Sequence, residues 1–282
     1  LEKGSGEKIR VAITTGDYDS SDNWLAKFDI IIATNEKADS LLRHSPLWIG
    51  EVTTVVADEI HLLTEPERGP TLEVVLTRML EINPKIQIIA LSATVRNADE
   101  VAQWIKALPI TTEWRPVPLK EGVYQAGEVQ FKDGSAKMVP AVTGSPLFDI
   151  SLDVIHSGGQ VLIFTETRRS AVDTGKKAGA VLRSFFKTDK RTLNALAEKI
   201  LTTGEKTRLS EVLAEQVKLG SAFHHAGLTG AHRRIIEDAF RKGVIKLLAA
   251  TPTLAAGVNL PARTVVISSY ERYEPGYGRY PI

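Results

Sequence analysis

Thr53-Thr54-Val55-Val56-Ala57-Asp58-Glu59-Ile60-His61 is the stretch on which the fold turns. Its first five residues are β-branched or small and uncharged, which reads as a parallel strand buried on both faces. The run then ends in two adjacent carboxylates. In an open parallel sheet the ligand crevice lies beyond the carboxyl ends of the strands, so this pair falls where function collects. One carboxylate there can hold a hydrated Mg²⁺ through water, and a second can orient or deprotonate an attacking water. That is nucleotide-hydrolysis chemistry. The same four residues also suit a loop with an N-cap Asp and a surface ion pair.

Similar apolar runs lie on either side: Ile9 to Thr14, Asp29 to Ala33, Ile86 to Leu91, Gln160 to Phe164, Lys246 to Ala250 and Thr264 to Ile267. Between them, residues 36–44, 71–81, 98–105, 167–186 and 231–242 carry apolar side chains at helical spacing. Strand–helix alternation of this kind predicts an α/β architecture with right-handed crossovers. Pro109, Pro116 and Pro118 break any regular element and place a boundary after residue 112. Residues 121–132 read as a hairpin turning near Gly127.

Composition narrows the function classes. A chain of 282 residues makes roughly two domains. With 43% hydrophobic and 24% charged residues, it is neither disordered nor collagen-like. The absence of cysteine removes disulfides, thiolate zinc sites and cysteine nucleophiles together. His61, His224, His225 and His232 show no zinc-binding spacing. No apolar run reaches the roughly 18 residues of a membrane span, and the N-terminus lacks a signal-peptide layout. The expectation is a cytoplasmic protein. A chain beginning at Leu inside a strand approach reads as a piece of something longer. Residues 1–113 hold 11 Lys and Arg against 18 Asp and Glu, and residues 114–282 hold 24 against 16, so the second part is basic. Nucleic acid lying on that part and an uneven solvated surface are both compatible with the split.

Asp58-Glu59-Ile60-His61 and, one βα unit later, Leu91-Ser92-Ala93-Thr94 resemble motifs II and III of the superfamily-two DExH-box helicases. Residues 250–263, Ala-Thr-Pro-Thr-Leu-Ala-Ala-Gly-Val-Asn-Leu-Pro-Ala-Arg, resemble motif V of the DNA-repair branch. Residues 222–228 resemble the motif before it, and residues 161–168 resemble motif IV. With Thr15-Gly16-Asp17-Tyr18 and residues 34–39 in front, the whole chain most resembles the archaeal Hjm-type DNA helicases.

The resemblance implies an α/β fold of two RecA-like parallel-sheet domains, the first (1–112) incomplete and the second (113–282) ending in a strand-separating hairpin. It implies ATP and Mg²⁺ as cofactors, with the metal on Asp58 through water and the hydrolytic water positioned by Glu59. His61 would couple the carboxylate loop to the neighbouring lobe, and Ser92 and Thr94 would couple hydrolysis to strand movement. Gly257 and Asn259 would face the nucleotide. Thr34, Arg168, Thr251 and Thr253 would contact phosphates of the tracked strand, with His225 near its path. Arg168 also reads as a solvated arginine at a helix start. The partners implied are single-stranded and forked DNA, worked on by a nucleoid-associated monomer in repair or replication restart, with 3′ to 5′ polarity.

Four of the six tyrosines, Tyr270, Tyr273, Tyr277 and Tyr280, surround a Pro275-Gly276 turn signal. Exposed aromatic side chains on such a hairpin can stack on unpaired bases, and the same pattern suits an ordinary packed hairpin. The 282 residues contain no Gly-x-x-x-x-Gly-Lys-Ser/Thr loop, for Gly175-Lys176-Lys177 and Gly204-Glu205-Lys206-Thr207 both lack its order. The family's motif VI arginines are missing as well. The chain alone is therefore expected to hydrolyse ATP no faster than background, whatever its parent does. The alternative is a non-catalytic nucleic-acid-binding module that kept the lobes and lost the motor.

Overall fold

The computed structural model describes all residues except 1–7, 16–21, 67, 93–96, 113, 188, 255–259, 270, 275–277 and 282, with backbone alone at 253, 271–274 and 278–281. It divides into two compact units, Leu1–Arg115 and Pro116–Ile282, three residues beyond the boundary read from the prolines.

Unit 1 contains β1 (Val11–Thr14), β2 (Ile30–Ala33), α1 (Asn35–His44), β3 (Thr54–Ala57), α2 (Gly69–Ile82), β4 (Gln87–Ala90) and α3 (Ala98–Trp104). Its strands form two separate parallel pairs, β1 with β2 and β3 with β4, and not one sheet. Alternation along each strand turns Ala12, Ala57 and Ile88 into a core shared with Leu41, Leu72, Leu76 and Met79 of the helices. The opposite faces are open: Ile13 is 70% exposed and Val56 59%, with Val11, Ile30, Ile32 and Ile89 also exposed. Burial on both faces, expected from the unbroken apolar runs, is thus corrected to one. No described element of the unit covers the second side.

Unit 2 begins with an antiparallel sheet of β5 (Gly122–Gln125), β6 (Glu128–Phe131) and β7 (Ala136–Met138). The β5–β6 turn places Ala126 and Gly127 at φ 51° and 89°, the two positive angles a tight two-residue hairpin requires. There follow α4 (Pro146–His156), β8 (Val161–Phe164), α5 (Arg168–Phe185), α6 (Lys190–Thr202), α7 (Arg208–Val217), β9 (Ser221–His224), α8 (Gly230–Arg241), β10 (Leu247–Ala250) and β11 (Thr264–Ile267). The tail pairs β12 (Glu271–Glu274) antiparallel with β13 (Gly278–Pro281).

The main sheet is parallel in the order β11-β8-β10-β9. Both its faces are covered, since Leu162 packs with residues of α6, α7 and α8, while Val161 and Ile163 pack with α4 and the far end of α5. The crossover after β8 leads to β9 on one side, and the connection after β10 leads to β11 on the other. The topological switch point therefore lies at the ends of β8 and β10.

Candidate functional site

In unit 1, β3 gives way directly to Asp58 and Glu59, and β4 brackets them. Leu91 donates its N–H to the Ala57 carbonyl at 2.9 Å and accepts the Ile60 N–H at 2.9 Å. Two backbone bonds to one residue thus hold the ends of the dipeptide and push it outward as a turn. Asp58 Oδ1 accepts the Glu59 N–H at 2.9 Å. Glu59 sits at φ 56°, a left-handed conformation that costs an L-residue roughly 1–2 kcal/mol. Buried Ile60 and Leu62 anchor the short 3-10 turn that follows.

Asp58 and Glu59 are both exposed, and neither has a Lys or Arg partner among the described residues. His61 Nδ1 lies 3.3 Å from Glu59 Oε2, close enough for electrostatic contact but not aligned as a hydrogen bond. The structure thus brings Asp58, Glu59 and His61 together, with Ser92 exposed one residue beyond the clasp. No group of three or more metal-ligating side chains occurs among the described residues. A carboxylate left without a cation suits Mg²⁺ that arrives with phosphate oxygens, which needs only one or two protein ligands.

Thr34 stands apart, on the other strand pair. It caps α1, its Oγ1 accepting the Lys37 N–H at 3.3 Å, which leaves the hydroxyl proton free to donate. Buried Lys37 pairs with Asp22 at 2.7 Å and ties the start of the helix to the preceding turn. A cleft of about 550 Å³ bordered by Asn23, His44, Trp48 and Glu51 includes none of these residues.

In unit 2 the register aligns Ile267, Phe164, Ala250 and His224 across the sheet. The next residues, Ser268, Thr165, Thr251 and His225, therefore form a polar row along its carboxyl edge. Thr165 and Ser268 had been assigned no role, although the strand-end rule that singled out Asp58 points to them equally. Buried Thr251 donates its N–H to the His224 carbonyl at 3.2 Å and starts the turn Pro252–Leu254, which includes Thr253.

His225 is 3% exposed and stacks on Phe223, ring centroids 5.2 Å apart. Gly227 donates its N–H to His225 Nδ1 at 3.0 Å, which assigns the ring proton to Nε2. That donor has no partner among the described residues. Arg168 opens α5 beside it: a Cβ on Gly227 would meet the His225 ring at 3.0 Å and Arg168 Cδ at 3.9 Å. Gly227 is thus the spacer that lets the two approach, a role no spacing in the sequence announces. Thr167 and Ser170 cap the helix reciprocally, each side-chain oxygen accepting the other's N–H at 3.0 Å.

Burial holds His225 below the usual histidine range, assisted by Arg168 and His224. Burial also lowers His224, against the opposing pull of Glu237, whose Oε1 lies 2.9 Å from His224 Nε2. An unfolded histidine takes up a proton near pH 6.5, and these two folded ones resist it. Their contribution is therefore complete above that pH and falls as pH drops toward the folded values. Unit 2 is expected to show a lower urea midpoint at pH 5.5 than at pH 7.5, with a smaller fall in His225→Gln. A midpoint that rises on acidification contradicts this.

Thr94, Gly257, Asn259, Tyr270 and Tyr277 lie outside the described residues. In the tail pair, Tyr273 is registered with Arg279 and Tyr280 with Arg272.

These elements coincide with two known domains. The DEAD/DEAH box helicase domain matches residues 1–101, and the helicase conserved C-terminal domain matches residues 178–275. The chain thus combines a DEAD/DEAH box helicase domain with a helicase conserved C-terminal domain. It is 46% identical over 274 residues to the ATP-dependent DNA helicase Hel308 of Pyrobaculum calidifontis, covering 97% of this chain and 38% of that protein. The Hel308 proteins of Caldivirga maquilingensis (46% over 274 residues; 96% and 36%) and Methanocella arvoryzae (46% over 275 residues; 97% and 37%) are similar to the same degree. The chain thus spans well under half the length of these relatives. Among the described residues, no helix is long and apolar enough to cross a membrane.

Proposed function

We propose that these 282 residues are the central motor segment of an ATP-dependent DNA helicase that moves 3′ to 5′ along single-stranded DNA and opens forked DNA in repair or replication restart. The observation that carries the reading is the Asp58–Glu59 turn: two exposed carboxylates with no Lys or Arg partner among the described residues, clasped by Leu91 at a strand end. Residues 1–112 supply this turn and Thr34, and residues 113–282 supply the second RecA-like domain.

Bound Mg²⁺ would neutralise phosphate charge. Asp58 would hold the ion through water, and Glu59 would orient and deprotonate the attacking water. His61 links that turn to its neighbour, and Ser92 with Thr94 relays the change in occupancy. Gly257 and Asn259 would face the nucleotide. Thr34, Arg168, Thr251 and Thr253 would each contact a phosphate of the tracked strand, and His225 Nε2–H adds a neutral donor beside Arg168. Tyr270, Tyr273, Tyr277 and Tyr280 would belong to the strand-separating hairpin. The protein works as a nucleoid-associated monomer.

The expected behaviour of the 282-residue chain is salt-dependent binding of a fluorescent dT20 strand, measured by anisotropy. Arg168→Ala should reduce the log-affinity against log-salt slope by about 0.7, the value for one phosphate contact on a single strand. Absence of binding at low salt removes the DNA reading, and an unchanged slope removes Arg168 from it.

A further inference from the structure

The solvent face of α5 carries Arg169, Lys176, Lys177 and Arg183, all exposed, with Asp173 its single acid. At 100° per residue these four cations fall within about a third of the helix circumference, opposite the buried Ala171, Gly175, Ala178 and Leu182. None forms an ion pair among the described residues, although ten other Lys and Arg side chains of this unit and unit 1 show how readily such pairs form here. From Arg169 to Arg183 the stripe runs about 21 Å at 1.5 Å per residue. It begins one residue from Arg168, at the edge where His225 and Thr251 lie, and leads away from it.

The helix beneath the stripe is fixed by its own backbone. Ser221 Oγ donates to the Gly175 carbonyl at 2.9 Å, and Gln216 Nε2 donates to the Val172 carbonyl at 3.0 Å. Gly175 and Gly179 permit the contact, for a Cβ on them would fall 2.3 Å from Gln216 Oε1 and 2.9 Å from Ser221 Oγ. The cations therefore stand on a rigid line.

We infer that this face of α5 is a docking surface for the phosphate backbone of double-stranded DNA, separate from the residues assigned to the tracked single strand. Charge selects a polyanion, and the shape selects a duplex. A single strand is gripped by aromatic side chains that stack its bases, and this face has none. A straight 21 Å line of cations matches about six base-pair steps of 3.4 Å along one strand of a stiff duplex. The expected contact is independent of sequence, since nothing on the stripe reaches for base edges.

The inference rests on the DNA reading above, and the test separates the two. The 282-residue chain is titrated with labelled dT20 and with a blunt 20-base-pair duplex over a salt series, as wild type and as Lys176→Ala/Lys177→Ala/Arg183→Ala. Loss of three duplex phosphate contacts lowers the log–log salt slope by about 2.7, at roughly 0.9 each, while the dT20 slope stays unchanged. Lys176→Arg/Lys177→Arg keeps the duplex slope. Circular dichroism of the triple variant should match wild type, because the altered side chains are solvated. An unchanged duplex slope, or equal losses on both ligands, overturns the docking surface and leaves the single-strand site standing. A wild type that binds dT20 but not the duplex does the same, and one that binds neither overturns both.

Discussion

Glu59→Gln in the complete gene product that carries these residues is expected to lower DNA-stimulated ATP turnover by about 10²–10⁴-fold, the usual worth of a positioned general base. The change is isosteric and removes the negative charge together with the capacity to accept a proton. Glu59 is solvated and its backbone angles are set by the Leu91 clasp, so folding should shift by no more than about 0.5 kcal/mol. Single-strand affinity should stay at the wild-type level, because the phosphate contacts are assigned to other residues. Parallel measurement of phosphate release and oligonucleotide anisotropy decides the matter: matching losses in both would contradict the role given to Glu59.

Phe223→Ala carries the largest expected effect on stability. The ring is fully buried in the core of unit 2 and stacks on His225, so its removal leaves a cavity beneath a site residue. A loss of about 3–5 kcal/mol is expected, a large share of the 5–15 kcal/mol typical of a whole domain. Phe223→Leu, which refills most of the volume, should lose less. Urea unfolding followed by circular dichroism measures both. A loss below about 1 kcal/mol for Phe223→Ala would show that the surrounding core closes over the gap.

The parallel strands were legible because Val, Ile and Thr cluster in short runs, and β2, β3, β4, β8, β10 and β11 start and stop within two residues of their expected ends. Strand β9 was not picked out as a strand: Ser221 and Ala222 have little β preference, and only complete burial between helices and β10 makes them extended. The α6–α7 hairpin was missed although Leu193, Leu196, Ala197 and Ile200 keep helical spacing, because a simple strand–helix alternation leaves no place for two extra helices before β9. Exposure of Ile13 and Val56 was invisible for another reason. An apolar strand reads the same whether one or both of its faces find partners.

The site divides along similar lines. Position at a strand end identified Asp58 and Glu59 from local pattern alone, whereas Thr251 entered only through the resemblance to motif V. The clasp by Leu91 depends on which strand pairs with β3, and the proton on His225 Nε2 depends on a contact with Gly227; both are products of tertiary geometry.

The reciprocal cap of α5 uses Ser170 where such boxes commonly place Glu or Gln, and the first helical turn contains no acid. A glutamate there would strengthen the helix start through its dipole, yet it would also act as a built-in counter-ion for Arg168. By choosing a hydroxyl, the chain forgoes that gain and avoids competing with its own ligand. Because neither the serine nor the hard-to-protonate His225 changes charge near neutrality, the appetite of this corner for anions should stay level across the pH range in which cells live.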